Sequence, residues 1–219
     1  QYVLDFSRPE VVDYIHDAIY KVLKDANIDY IKWDMNRSIT ECGSAGWPAE
    51  QQGEIFHRYI LGVYDLYERL TSEFPHILFE SCASGGGRAN WGVLPWFDEF
   101  WVSDNTDALQ RIHMQWGTSY FFPAITMASH ISATPNHTVF RTTSLKYRID
   151  VAMSGRLGME IQPRNMTQEE RDLCRKAIAE YKEIRPVVQF GDIYRLKSPF
   201  EGEPFASMMY CSPEKDKAV

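Results

Sequence analysis

Ile28-Asp29-Tyr30-Ile31-Lys32-Trp33-Asp34 reads as a short strand, Ile28 to Trp33, that ends on a carboxylate, and the rest of the chain repeats its grammar. A brief apolar run bounded by polar residues suits a strand buried in a parallel sheet. Upstream, Ser7-Arg8-Pro9-Glu10 has the form of a helix start, with Ser7 as N-cap and Pro9 in the first turn. Val11, Tyr14, Ile15, Ala18, Ile19, Val22 and Leu23 mark the expected buried stripe of that helix. Before it, Tyr2 to Phe6 is also strand-like.

Downstream the alternation continues. Apolar spacing predicts a helix from Ala49 to Glu73, then a strand from His76 to Ser81 that runs into Cys82-Ala83-Ser84-Gly85-Gly86-Gly87-Arg88. Glu99 to Ser103 is a further strand ending on Asp104, followed by a helix through Arg111 and Trp116. Ala124 to Ala128 and Leu157 to Ile161 are two more strands, separated by a helix near Ser144–Met153. Thr167-Gln168-Glu169-Glu170 opens a last amphipathic helix as a capping box. After Pro186 the texture changes to short strands and turns. Strands alternating with helices imply an α/β protein, and six such units in series fit a (β/α) barrel better than an open sheet. Polar clusters at strand ends belong at the carboxyl face, where barrel enzymes keep their chemistry.

Composition narrows the function. The chain of 219 residues carries a net charge of −7, and its basic residues are scattered, which argues against a nucleic-acid partner or an anionic membrane surface. No apolar run approaches the length of a membrane span. Cys42, Cys82, Cys174 and Cys211 are far apart and form no CxxC pair, so neither a zinc site nor a disulfide framework is expected. Read as free thiols, they favour a reducing, cytoplasmic compartment. The start of the chain lacks both Met and a basic leader, as though cut from something longer.

Three clusters carry candidate chemistry. Lys32-Trp33-Asp34-Met35-Asn36-Arg37 crowds a cation, a carboxylate, an amide and a guanidinium at a strand end, where every group needs a partner. It is either a salt-bridged terminus or a carboxylate held ready to attack an electrophilic carbon. Trp101-Val102-Ser103-Asp104-Asn105-Thr106-Asp107 offers a second carboxylate, although Asp107, Ser103 or Thr106 also suits a helix cap. Retaining glycosidases need such a pair, about 5–5.5 Å apart. The Gly85-Gly86-Gly87 run lacks the spacing of a nucleotide-binding loop, and is either a tight turn or a place where a ligand meets the backbone. His130, Asn136 and His137 lack a third ligand at useful spacing, so they are expected to be satisfied polar groups and no metal is expected.

In order along the chain, these clusters resemble the motifs of family 36 glycoside hydrolases, the microbial α-galactosidases. Tyr30 to Arg37 resembles the nucleophile motif, Glu80 to Arg88 the sugar-binding loop, and Trp101 to Ala108 the acid/base motif. Ser129-His130, Pro135-Asn136-His137 and Ala152-Met153-Ser154-Gly155 continue the likeness. The resemblance implies a retaining α-galactosidase acting on oligosaccharides such as raffinose or melibiose, with Asp34 as nucleophile and Asp104 as general acid/base. It assigns galactose contacts to Lys32 and Asn36, and places Cys82 and the Gly85 backbone near O2. No cofactor or metal is implied. Ala89-Asn90-Trp91 departs from the family's aromatic-Asp pair. The implied architecture is a partial (β/α)8 TIM barrel, about strands 3 to 8, over residues 1–186, with the start of a C-terminal β-domain over 187–219. Full-length members are implied to be homo-oligomers, often tetramers. A galactosyltransferase of the raffinose- or stachyose-synthase type, or a non-catalytic sugar-binding fragment, remains the alternative.

Overall fold

The computed structural model describes residues 3–40, 43–202 and 204–219. Tyr2, part of the expected first strand, and Cys42 lie outside the described residues. The chain divides into two compact units, one taking in the chain up to Ala83 together with Gly87–Asp98, the other Ser84–Gly86 with Glu99–Val219.

The first unit contains α1 (Pro9–Asp25), β1 (Tyr30–Asp34), a 3-10 segment (Ala49–Glu54), α2 (Ile55–Glu73) and β2 (Leu78–Cys82). Helix α1 starts at Pro9 as its sequence predicts, but Ser7 does not cap it. Arg8 holds the N-cap position without a side-chain cap bond. The Ser7 hydroxyl instead donates to Asp5 and accepts from the Trp47 indole N–H at 2.8 Å. The buried stripe is also turned from the expected one, because α1 packs along Val12, Ile15, His16, Ile19 and Leu23 and leaves Tyr14 and Val22 exposed. His16 is tolerated in that stripe because Glu73 and Asp17 meet its two ring nitrogens at 2.8 and 3.0 Å. Residues 3–5 form no strand. The Phe6 N–H bonds to Leu4 O and the Arg8 N–H to Asp5 O, so the chain turns straight into α1.

Strands β1 and β2 are parallel, in the register Tyr30↔Leu78, Lys32↔Glu80 and Asp34↔Cys82. Ile31 and Trp33 pack onto the core built around Leu66 and Leu70, with the Trp33 ring edge-on to Tyr67 at 5.4 Å. Side chains alternate along a strand, so Tyr30, Lys32 and Asp34 take the opposite face.

The second unit holds β3 (Glu99–Trp101), α3 (Ala108–Thr118), β4 (Met127–Ser132), α4 (Leu145–Ala152), β5 (Arg156–Glu160), α5 (Gln168–Phe190), β6 (Asp192–Lys197) and β7 (Ser207–Cys211). Strands β3, β4 and β5 are parallel neighbours in chain order, while β6 and β7 form a small antiparallel sheet. The described residues therefore carry five parallel strands, two in one unit and three in the other, where six were expected. Their alternation with helices is that of a partial (β/α) barrel followed by a small sheet. The capping box of α5 is complete, with Thr167 accepting from the Glu170 N–H and Glu170 accepting from the Thr167 N–H. That helix runs through Pro186 to Phe190. Val187 and Val188 are buried in its last turn, and their burial outweighs the bond that proline removes. The expected boundary between residues 186 and 187 thus falls inside a helix. No helix among the described residues is long and apolar enough to cross a membrane.

One glycine fixes how closely α1 and α2 approach. A Cβ on Gly62 would lie 1.9 Å from the Phe6 carbonyl oxygen and 3.2 Å from Val12 Cγ2. Alanine favours a helix over glycine by about 1 kcal/mol, but an overpacked backbone contact costs about 1–3 kcal/mol. With a 1.9 Å approach to a backbone oxygen placing the cost at the upper end, Gly62→Ala is therefore expected to lower stability by about 2 kcal/mol. An unchanged or raised urea midpoint would show that the two helices separate freely.

Candidate active site

The candidate residues fall into two groups: Lys32, Asp34, Asn36 and Cys82 in the first unit, Gly85 and Asp104 in the second. In the first unit, β1 and β2 end side by side, so that Asp34 and Cys82 are register partners. The Met35 N–H donates to Cys82 O at 2.9 Å and carries the pairing one residue further. Asn36 Nδ2 donates to Asp34 Oδ2 at 3.0 Å. Lys32, one pleat back on the face of Asp34, forms an ion pair with Glu80 across the strands, Nζ to Oε1 at 3.3 Å. Arg88 closes the group from the side. Its Nε and Nη2 donate to Met35 O and Arg37 O, each at 3.0 Å, and fix the turn after Asp34.

A cavity of about 190 Å³ lies close by, lined by Tyr59, Tyr64, Tyr67, Ser81 and Arg88 among others. It belongs to the helix side of β1 and β2, since Ser81 and Trp33 share that parity, and it is separate from the face of Lys32 and Asp34. Burial pushes the Tyr67 phenol up, and its hydroxyl donates to Met35 Sδ at 3.1 Å. Asn90, at the departure from the family motif, closes its own turn by accepting from the Gly92 N–H at 2.8 Å, and Trp91 is exposed.

In the second unit Asp104 stands beyond the end of β3 in a loop rather than on the strand. Trp101 Nε1 donates to Asp104 Oδ1 at 3.1 Å. Arg111, reaching back from α3, grips the loop on both sides of the carboxylate. It donates to Ser103 O at 2.6 Å and Asn105 O at 2.9 Å, and its guanidinium lies over the Trp101 ring at 4.4 Å. Burial pulls Arg111 down to about 10, against the pull of Glu160 and Asp104, so it stays charged at neutral pH. Gly85 packs against the same loop. Its φ is +88°, and a Cβ there would sit 2.7 Å from Ser103 Cα and 3.1 Å from Asp104 N. The close approach that the glycine run permits is made by the chain's own backbone.

Asp107, the other carboxylate of this motif, caps α3 by accepting from the Gln110 N–H at 3.1 Å and pairs with Arg141. Asn136 is buried and donates to Thr106 Oγ1 at 3.1 Å, and His130 lies against the Trp101 ring at 4.5 Å. Among the described residues no three His, Cys, Asp or Glu side chains gather as a metal would require. Sequence reasoning gave no role to Glu80 or Arg111. A charged residue in the middle of a buried strand was the available signal for Glu80. Arg111 had none, because it looks like any helical arginine until its loop is folded over it.

The sequence pattern of the Melibiase family matches residues 1–191. The chain belongs to that family. It is 49% identical to the α-galactosidase AgaA of Geobacillus stearothermophilus over 219 residues, covering 100% of this chain and 30% of the relative. Identity to α-galactosidase 1 of Pediococcus pentosaceus is 45% over the same length, again 30% of that protein. This chain thus spans about 30% of the length of the curated relatives it matches. Crystal structures of AgaA variants from the GH36 family, in complex with raffinose and with stachyose, superpose with a TM-score of 0.96 at 49% identity, over 99% of this chain and 30% of theirs.

The Arg111 fork is a stability element as well as a support for Asp104. Lysine keeps the charge but not the planar, multi-donor geometry. Arg111→Lys is expected to cost about 2–3 kcal/mol, the scale of losing one or two charged hydrogen bonds. Urea denaturation measures it, and a loss under about 0.5 kcal/mol, the scale of an ordinary surface change, would mean that the freed carbonyls are satisfied elsewhere.

Proposed function

We propose that this chain carries the catalytic residues of a retaining α-galactosidase, a glycoside hydrolase that removes terminal α-galactosyl groups from oligosaccharides such as raffinose or melibiose. The observation that carries the reading is a matched pair of aspartates. Asp34 is the last residue of one parallel strand and Asp104 follows another, and each has one carboxylate oxygen held by a neighbouring donor, Asn36 for the first and Trp101 for the second. The two aspartates substituted in the AgaA complexes with raffinose and stachyose are separated by the same number of residues as Asp34 and Asp104. The relatives described above carry galactosidase names, which favours water over a second sugar as the acceptor.

In this scheme Asp104, protonated, gives its proton to the glycosidic oxygen while the Asp34 carboxylate attacks the anomeric carbon. The bond to the leaving group breaks as the ester to Asp34 forms, with inversion. Asp104, now a carboxylate, takes a proton from water, which displaces Asp34 with a second inversion and regenerates the acid. Lys32 and Asn36 contact galactose hydroxyls, and Cys82 with the Gly85 backbone lies near O2. Every step uses carboxylates and water alone.

The test is made in the full-length protein. Asp34→Asn is expected to lower p-nitrophenyl α-galactoside hydrolysis by at least about a thousandfold, because both steps need the nucleophile. Asp104→Asn is expected to keep the first step on this substrate, whose phenol leaves without protonation, and to release α-galactosyl azide when azide is added, because azide displaces Asp34 from the β-galactosyl ester with the second inversion. A β-configured azide from the Asp104 variant, or full activity in the Asp34 variant, refutes the assignment.

A further inference from the structure

Glu80 is 1% exposed on a central position of β2, and burying a carboxylate so completely costs several kcal/mol before any partner is counted. Among the described residues two partners from β1 meet it. The Tyr30 hydroxyl donates to Oε2, and the Lys32 ammonium stands 3.3 Å from Oε1. The Lys32 contact is ionic, since Oε1 has no partner with hydrogen-bond geometry among the described residues. The parallel register sets this arrangement, with Lys32 directly opposite Glu80 and Asp34 directly opposite Cys82.

An ion pair with only one member buried, Lys32 being 35% exposed, adds little net stability. Its value lies in direction. Lys32 is a flexible four-carbon stem two residues before Asp34 on the same strand face, so the two side chains leave the strand about 7 Å apart. An unanchored ammonium at that range is drawn to the carboxylate beside it. Glu80 pulls the ammonium across to β2, while Asp34 Oδ2 takes its hydrogen bond from the Asn36 amide.

We infer that Glu80 is a positioning residue of the galactoside site: its buried carboxylate, steadied by Tyr30, fixes the ammonium of Lys32 for the sugar hydroxyls and draws it away from Asp34. The inference rests on the proposed α-galactosidase reading and adds to it a residue that never touches substrate. It also explains a charge in the middle of a buried strand.

The experiment is a double-mutant cycle in the full-length protein, with kcat and KM for p-nitrophenyl α-galactoside and a thermal melt for each variant. Glu80→Gln is expected to reduce kcat/KM roughly ten- to hundredfold while the protein stays folded at the assay temperature, the scale of one misdirected charged hydrogen bond. Glu80→Asp, which keeps the charge, is expected to recover part of that loss. Lys32→Met is expected to lose as much as Glu80→Gln or more, and the double variant no more than Lys32→Met alone. Losses that multiply in the double variant, or a Glu80→Gln protein within about twofold of the parent, would overturn the inference while leaving the α-galactosidase reading intact. Should Glu80→Gln not fold alone, the double variant leaves no ammonium unpaired and carries the comparison. Activity equal to Lys32→Met supports the inference, and a further tenfold loss overturns it. A parent that does not cleave the substrate overturns the reading and this inference together.

Discussion

The two-residue period of a strand is the constraint on which this molecule depends. A parallel strand packed against helices must put apolar side chains on that face, and every other residue is then committed to the opposite side. Ile31 and Trp33 fill the helix side of β1, which commits Tyr30, Lys32 and Asp34 together. A slip of one residue would drive a lysine and an aspartate into the core around Leu66 and Leu70. Charges on the committed face must then be neutralised locally, and Lys32 with Glu80 does this in one unit as Glu99 with Arg156, at 3.1 Å, does in the other.

The two candidate carboxylates are held by different physics. Asp34 inherits its place from strand register, so its precision comes from the ladder that the backbone makes in any case. Asp104 lies past the end of a strand of three residues and has no ladder to fix it. Its loop is held instead by one buried guanidinium that spends charged hydrogen bonds on the carbonyls either side, and by Gly85, whose missing side chain leaves room for the loop backbone. A carboxylate held by a ladder tolerates substitution of its neighbours, whereas one held by a clamp fails with the clamp.

Much of this was legible in the sequence, and the pattern of what was not is instructive. The polar ends of β1, β2 and β3 stood out because charge at the edge of an apolar run is rare without a reason. The Thr167 capping box read true because both of its partners are local. Ser7 looked like the same kind of signal, but Asp5 and Trp47 took its hydroxyl, and a tertiary contact cannot be seen in a four-residue window. Tyr14 and Val22 were expected inside because their spacing is helical. The face α1 presents depends on α2, with Gly62 bringing the two together. Glu80 and Arg111 were missed for the same reason, since each gains its meaning from a residue on another element.

The course of α5 through Pro186 bears on how proteins of this kind are assembled from parts. A proline followed by strand-like residues is where a reader of sequence would cut, and there the cut would strip the buried Val187 and Val188 from the end of the helix that they anchor. The small sheet is tied back as well, through the Tyr210 hydroxyl on Ser154 O and Arg195 on Ser119. A recombination event that exchanged the C-terminal module would keep the helix end whole with its crossover at Gly191, and the incoming module would then have to restore the contacts to Ser154 and Ser119. The seam is set by where a hydrophobic helix end is satisfied rather than by where the sequence changes its texture.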